Sequence, residues 1–160
     1  MKREPYRFDA QIPWDATEFM GRESIAEITA PDSSFSLRRR VTFAKTIQPW
    51  AFTFEEWFGI TRYSETHLVA ANADFTKLID GKNPTTPGSL VHFWLTGLGP
   101  LDKPVPTAEP APADPVSRPL AKLFCTISNS QSSFPLEVLD MVYAPNLIGV
   151  YQVDIRIPAS

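Results

Sequence analysis

Apolar and polar positions alternate along much of this chain. Near the start, Tyr6, Phe8, Ala10 and Ile12 alternate with Arg7, Asp9 and Gln11; near the end, Tyr151, Val153, Ile155 and Ile157 alternate with Gln152, Asp154 and Arg156. A period of two is the signature of a strand with one buried and one wet face. The two segments also match position by position, with Tyr, Asp, Ile and a closing Pro at the same places. That echo predicts two copies of one strand-building block. Further strands are expected over 21–30, from Phe35 to Ile47, and over 66–71, 122–128 and 135–143. Ser89 to Thr96 is apolar at almost every position, as in a central strand covered on both faces. Glu55 to Phe58 and Ala144 to Ile148 read instead as single helical turns. Clusters such as Pro31-Asp32-Ser33-Ser34 and Asp80-Gly81-Lys82-Asn83-Pro84 punctuate these runs as turns. Seven to nine short strands at this spacing predict an all-β fold, a β-sandwich.

Composition sharpens that picture. The chain has 160 residues with 16 prolines and 7 glycines, so proline stands at about twice its usual ~5%. A helical bundle is disfavoured, because each interior proline costs a helix ~3 kcal/mol. Seven of the prolines fall within 100–119, which predicts a long extended loop, ordered and anchored by Leu101, Val105 and Val116. The net charge of −3 gives no basic footprint for nucleic acid. Arg38, Arg39 and Arg40 read as an exposed strand end. No apolar run reaches the ~18 residues of a membrane span. The first residues lack the apolar core of a signal peptide. The single cysteine, Cys125, excludes an internal disulfide and reads as a small buried hydrophobe.

Candidate chemistry is sparse. His67 and His92 are the only histidines, and no metal-binding spacing joins them to other ligands. His92 reads as a satisfied histidine within a strand, His67 as a solvated one. No Gly-x-Ser-x-Gly elbow is present. Glu55 and Glu56 are adjacent, so they cannot both face one scissile bond. Gly97-Leu98-Gly99-Pro100 lacks the lysine and helix of a phosphate loop, and its glycines suit positive φ in a turn. Asn72, Asp74, Asp80 and Asn83 cluster in loops without calcium-loop spacing. No catalytic residue, metal ligand or cofactor site is therefore assigned. The most unusual local feature is the aromatic group Trp50, Phe52, Phe54, Trp57 and Phe58. These rings either plug the core or form an exposed platform for a sugar or a protein; Trp50, Trp57 and Phe58 are the ligand-binding candidates under the second reading.

Several segments resemble a known family. Pro87-Gly88-Ser89, Thr96-Gly97-Leu98-Gly99-Pro100, Pro110-Ala111-Pro112 and the run from Ala144 to Pro158 stand in the order and spacing of the Solibacter-type C-terminal domain of secreted acidobacterial proteins, from about Ile47 onward. Gln11-Ile12-Pro13-Trp14 is similar to the strand that closes the preceding module there. The chain departs from the family at Pro49-Trp50, which lacks a glycine, at the turn Ser128-Asn129-Ser130-Gln131, and in the aromatic and charged stretch 55–66. The resemblance implies an immunoglobulin-like β-sandwich over 48–160, with 1–47 a β segment from the end of a preceding module, packed on the main domain. It implies a piece of a longer protein, extracellular or in the cell envelope, and no catalytic residue.

The expected function is thus a non-catalytic structural or adhesion module. The alternative is a carbohydrate-binding accessory module using exposed aromatics. Expected partners are other modules of the same protein, a separate protein or a polysaccharide. An open sheet edge also invites strand exchange between copies, with 6–13 as the donor.

Overall fold

The computed structural model describes residues 22–29, 36–42, 49–58, 63–128 and 131–159. The strand expected at 6–13, and so the first half of the echo, lies outside them. The described residues are all-β, with no helix, and every strand pair is antiparallel. The chain divides into two compact units, Met1–Gln48 and Pro49–Ser160.

In the first unit, β1 (Glu23–Thr29) pairs with β2 (Ser36–Thr42). Arg38, Arg39 and Arg40 are exposed along β2. Arg38 reaches Glu27 at 3.3 Å and Arg40 reaches Glu23 at 2.9 Å. These solvent-facing cross-strand pairs each contribute at most ~1 kcal/mol.

The second unit is built on a six-stranded sheet. Its elements are β3 (Trp50–Ala51), β6 (Ala70–Asn72), β7 (Leu90–Thr96), β8 (Cys125–Ser128), β9 (Ser133–Tyr143) and β10 (Tyr151–Arg156). Along the order β3-β7-β10-β9-β8, the β7–β10 pair lies at the centre. Its register sets Tyr151 opposite Leu95, Val153 opposite Phe93 and Ile155 opposite Val91. All six are buried, Val153 completely. The odd positions of 151–155 thus face the core, and Ile157 packs against it. β9 extends this face with Tyr143, Met141, Val138 and Leu136, and a bulge near Leu139 keeps its apolar positions in phase.

Among the described residues, this face is covered largely by the segment 97–124. Leu98 and Ala111 are buried against it, and Leu101, Val105 and Leu123 pack at its margin. Gly97 and Gly99 both take positive φ, 80° and 78°, a conformation that costs glycine nothing. They turn the chain so that Leu98 drops into the core. The Tyr151 hydroxyl then donates to the Gly99 carbonyl at 2.6 Å. Burial pushes the Tyr151 phenol up to about 12, and Tyr143 beside it acts in the same direction.

The far edge of β7 carries an unexpected arrangement. Trp50 and Ala51 pair with Thr96 and Leu95, and the Phe52 amide donates to the Trp94 carbonyl. The next positions along β7, Phe93, His92 and Val91, pair with Ala70, Ala71 and Asn72. Residues 50–52 and 70–72 therefore occupy one continuous edge-strand position. Between them the chain leaves the sheet as a hairpin, β4 (Thr53–Phe58) paired with β5 (Tyr63–Leu68), and returns at Val69, whose amide donates to Phe52 O. The helical turn expected at Glu55–Phe58 is thus a strand: the partner at 63–68 supplies the hydrogen bonds that a local turn would have taken.

The turn expected at Ala144–Ile148 is not helical either. Asn146 takes a φ of 64°, in the left-handed region that a right-handed helix excludes. Ala144 N instead donates to Val150 O across the bend.

Candidate functional site

The outward face of the β7–β10 pair collects the polar chemistry of the second unit. On β7 it carries His92 and Trp94, opposite Asp154 and Gln152 of β10. Alternation dictates this, since these are the even positions of strands whose odd positions fill the core. His92 is nevertheless buried, its side chain only 5% exposed. The cover is the turn after β6, where Phe75 lies flat on the imidazole with ring centroids 3.9 Å apart and planes 14° apart. The same phenyl ring is tilted against Trp94 at 6.3 Å.

Both imidazole nitrogens are engaged. Nδ1 lies 2.7 Å from Asp154 Oδ1, and Nε2 lies 3.2 Å from the Ala73 carbonyl. Gln152 Nε2 donates to the same Asp154 oxygen at 2.9 Å. The expectation of a satisfied histidine in the strand matches this geometry. His67 differs from expectation: it lies within β5, half-buried and stacked on Phe54 at 5.3 Å, rather than solvated.

Further along the face, Asp140 of β9 stands opposite Asp154. Arg118, from the covering segment, grips Asp140 with two hydrogen bonds of 3.1 and 3.0 Å. The Arg118 guanidinium holds the Asp140 carboxyl below the usual carboxylate range. Asp102 accepts the backbone amides of Arg118 and Lys103, each at 2.7 Å, and these bonds lower its pKa. A guanidinium thus clips the 97–124 segment to the sheet.

The oxygen-rich loop residues do not converge on a cation. Asp74 Oδ1 accepts from the amide and hydroxyl of Thr76, and Asp80 Oδ1 accepts from the amides of Lys82 and Asn83. Each carboxylate organises its own turn, and these bonds lower its pKa. Among the described residues no three His, Cys, Asp or Glu side chains gather around one point. Asn72, Asp74 and Asn83 instead rim an open depression beside Ile79 and Leu90. Cys125 is half-buried against the core, and burial pushes its thiol up, so it shows none of the lowered pKa of a reactive cysteine.

The aromatic candidates part company. Trp50 is 77% exposed, and alternation puts it on the same face as Trp94, diagonally across β3 and β7. Phe52 is half-buried. Trp57 and Phe58 lie on β4, in register with Ser64 and Tyr63, and their side chains fall outside the described residues. The aromatic that sequence reasoning missed is Phe75. Its signal was only a turn residue between Asp74 and Thr76, and its role depends on a strand seventeen positions away that the local pattern does not name.

No protein-family model, no curated protein and no solved structure matches this chain.

Proposed function

We propose that residues 48–160 form a non-catalytic structural or adhesion-type module with an immunoglobulin-like β-sandwich fold and a long proline-rich loop, belonging to a secreted or cell-envelope protein. The observation that carries this reading is that the segments resembling the Solibacter-type domain meet at the centre of the sheet. Pro87-Gly88-Ser89 and Thr96-Gly97-Leu98-Gly99-Pro100 bracket β7, and the run 144–158 contains β10, its partner. Gly88 N donates to Ile157 O at 3.0 Å, tying the first motif to the last. Asn146 stands where the family has glycine and takes the positive φ that asparagine tolerates best after glycine. Such a module contributes spacing and protein contacts.

The exposure of Trp50 favours a second reading, a carbohydrate-binding accessory module, because a solvent-facing indole offers a flat apolar surface at low entropic cost. A broad glycan panel and a hydrolase activity screen on the whole chain test both. The structural reading expects neither glycan retention nor turnover. Glycan retention lost in Trp50→Ala would favour the second reading, and turnover lost in Glu56→Gln would overturn the non-catalytic one.

A further inference from the structure

We propose that the outward side of β7 is a binding site for an uncharged, extended polysaccharide, with Trp50, Trp94 and Phe75 as its stacking rings. This site rests on the carbohydrate-binding reading that exposed Trp50 opened. Phe75 is the strongest pointer to it. One face of its ring lies on His92 at 3.9 Å, yet the residue is 53% exposed, so the opposite face is left open to water. Its φ of 59° is one that glycine or asparagine would hold with less strain. The chain thus keeps an aromatic ring on a strained backbone without burying it. Strain of that kind persists only where the surroundings enforce it, and it gathers at ligand sites.

The three rings form a row along one strand. Trp50 stands opposite Thr96 at the end of β7, Trp94 comes next on the same face, and Phe75 covers His92 beyond it. Thr96 and His92 lie ~13 Å apart at strand spacing, and the Phe75 and Trp94 rings are 6.3 Å apart. The row is therefore longer than one sugar ring. Past His92 on this side of β7, Leu90 lines a depression of about 430 Å³ whose walls also include Asn72, Asp74, Lys77, Asn83 and Thr86. Stacking surface thus gives way to amides, a carboxylate and a hydroxyl, the groups that exchange hydrogen bonds with sugar hydroxyls.

The chemistry of this face selects its occupant. A chain of pyranose rings with equatorial substituents offers flat C–H faces to aromatic rings and hydroxyls at its rims, and its extended linkages match a row set along a strand. Nucleic-acid bases also stack on aromatic rings, but Asp154, Asp140 and Asp74 place carboxylates around the row, and Arg118 is taken by Asp140. Phosphates and uronic acids are repelled alike, which leaves an uncharged sugar. A protein interface is centred on a contiguous apolar patch. Here Gln152 and Asp154 stand beside Trp94 and His92 and break the apolar surface.

Affinity electrophoresis of the whole chain through gels holding hydroxyethylcellulose, glucomannan or arabinoxylan tests this, with carboxymethylcellulose as the charged counterpart of the first. At least one uncharged polymer is expected to retard the native chain, and carboxymethylcellulose to retard it less than hydroxyethylcellulose does. Trp50→Ala and Phe75→Asn should each weaken retardation roughly tenfold or more. Asparagine tolerates the φ of residue 75, so the thermal midpoint of Phe75→Asn should stay within a few degrees of the native one. If that variant does not fold, Phe75→Leu, which keeps an apolar cover over His92 but offers no ring face, carries the same expectation for binding. Retardation that is lost in Trp50→Ala but kept in the folded Phe75 variant would overturn the row and leave the carbohydrate-binding reading standing. Stronger retardation by carboxymethylcellulose than by hydroxyethylcellulose would overturn the uncharged occupant. No retardation by any of the polymers would overturn both the site and the reading it rests on.

Discussion

The β7–β10 pair and the β4–β5 hairpin are both rich in aromatic and β-branched residues, but they differ in their neighbours. β7 lies between β10 on one side and the β3 and β6 segments on the other, and Leu98 and Ala111 close over the inner face of the sheet. β4 pairs with β5 alone among the described strands. A two-stranded hairpin is marginal by itself in water, whereas a central strand pair with a filled face carries most of a domain's stability. The difference shows that aromatic content does not locate a core. Partners do, and the register along β7 records where the partner changes from residues 50–52 to 70–72.

The largest expected effect is at the centre. Val153→Asp places a carboxylate at a fully buried position, where an unpaired charge is costly; loss of more than about 4 kcal/mol, or outright unfolding, is expected in urea titration. Tyr151→Phe removes the hydroxyl donated to Gly99 O and leaves that carbonyl unpaired, a loss of ~1–3 kcal/mol by the same measurement.

The Tyr151 phenol gives a pH test of the same region. Its folded value is about 12, above the ~10 of a free tyrosine. The folded state therefore keeps a proton that the unfolded state gives up. The stabilisation is complete below about pH 10 and is lost as pH rises toward 12, so ultraviolet titration should show one tyrosine ionising late in the native chain and normally in denaturant.

Smaller effects are expected at the hairpin. A variant in which Phe52 is joined directly to Ala70 retains an unbroken edge strand, and its thermal midpoint should stay within a few degrees of the native one. A collapse of stability would show that the hairpin supports the sheet. The smallest effect is at Trp50: replacing this exposed indole with alanine should change stability by no more than about 0.5 kcal/mol.

The sequence made some of this readable for physical reasons. β10 was legible because Tyr151, Val153 and Ile155 face one filled side, so burial and period two coincide. β7 was legible as a central strand because even its outward residue His92 is covered. The covering role of Leu101 and Val105 was visible as apolar anchors in a proline-spaced run, but the deeper burial of Leu98 and Ala111 was not. Those two depend on the backbone turns around them rather than on side-chain size. The inserted hairpin was hidden because 53–58 has no alternation strong enough to separate strand from turn. Its information lies in the complement, Tyr63 to Leu68. The His92 site was half legible: the histidine was seen, but Phe75 and Ala73 reach it only through the fold.

Hydrogen–deuterium exchange of the intact chain, read peptide by peptide, tests most directly the claim that the β7–β10 pair is the stable centre and the 53–69 hairpin an appendage to one edge strand. The account predicts that amides of 90–96 and 151–156 exchange last, through global unfolding, while those of 53–68 exchange at least a hundredfold faster. Exchange of 53–68 at the same rate as the β7–β10 pair would contradict it.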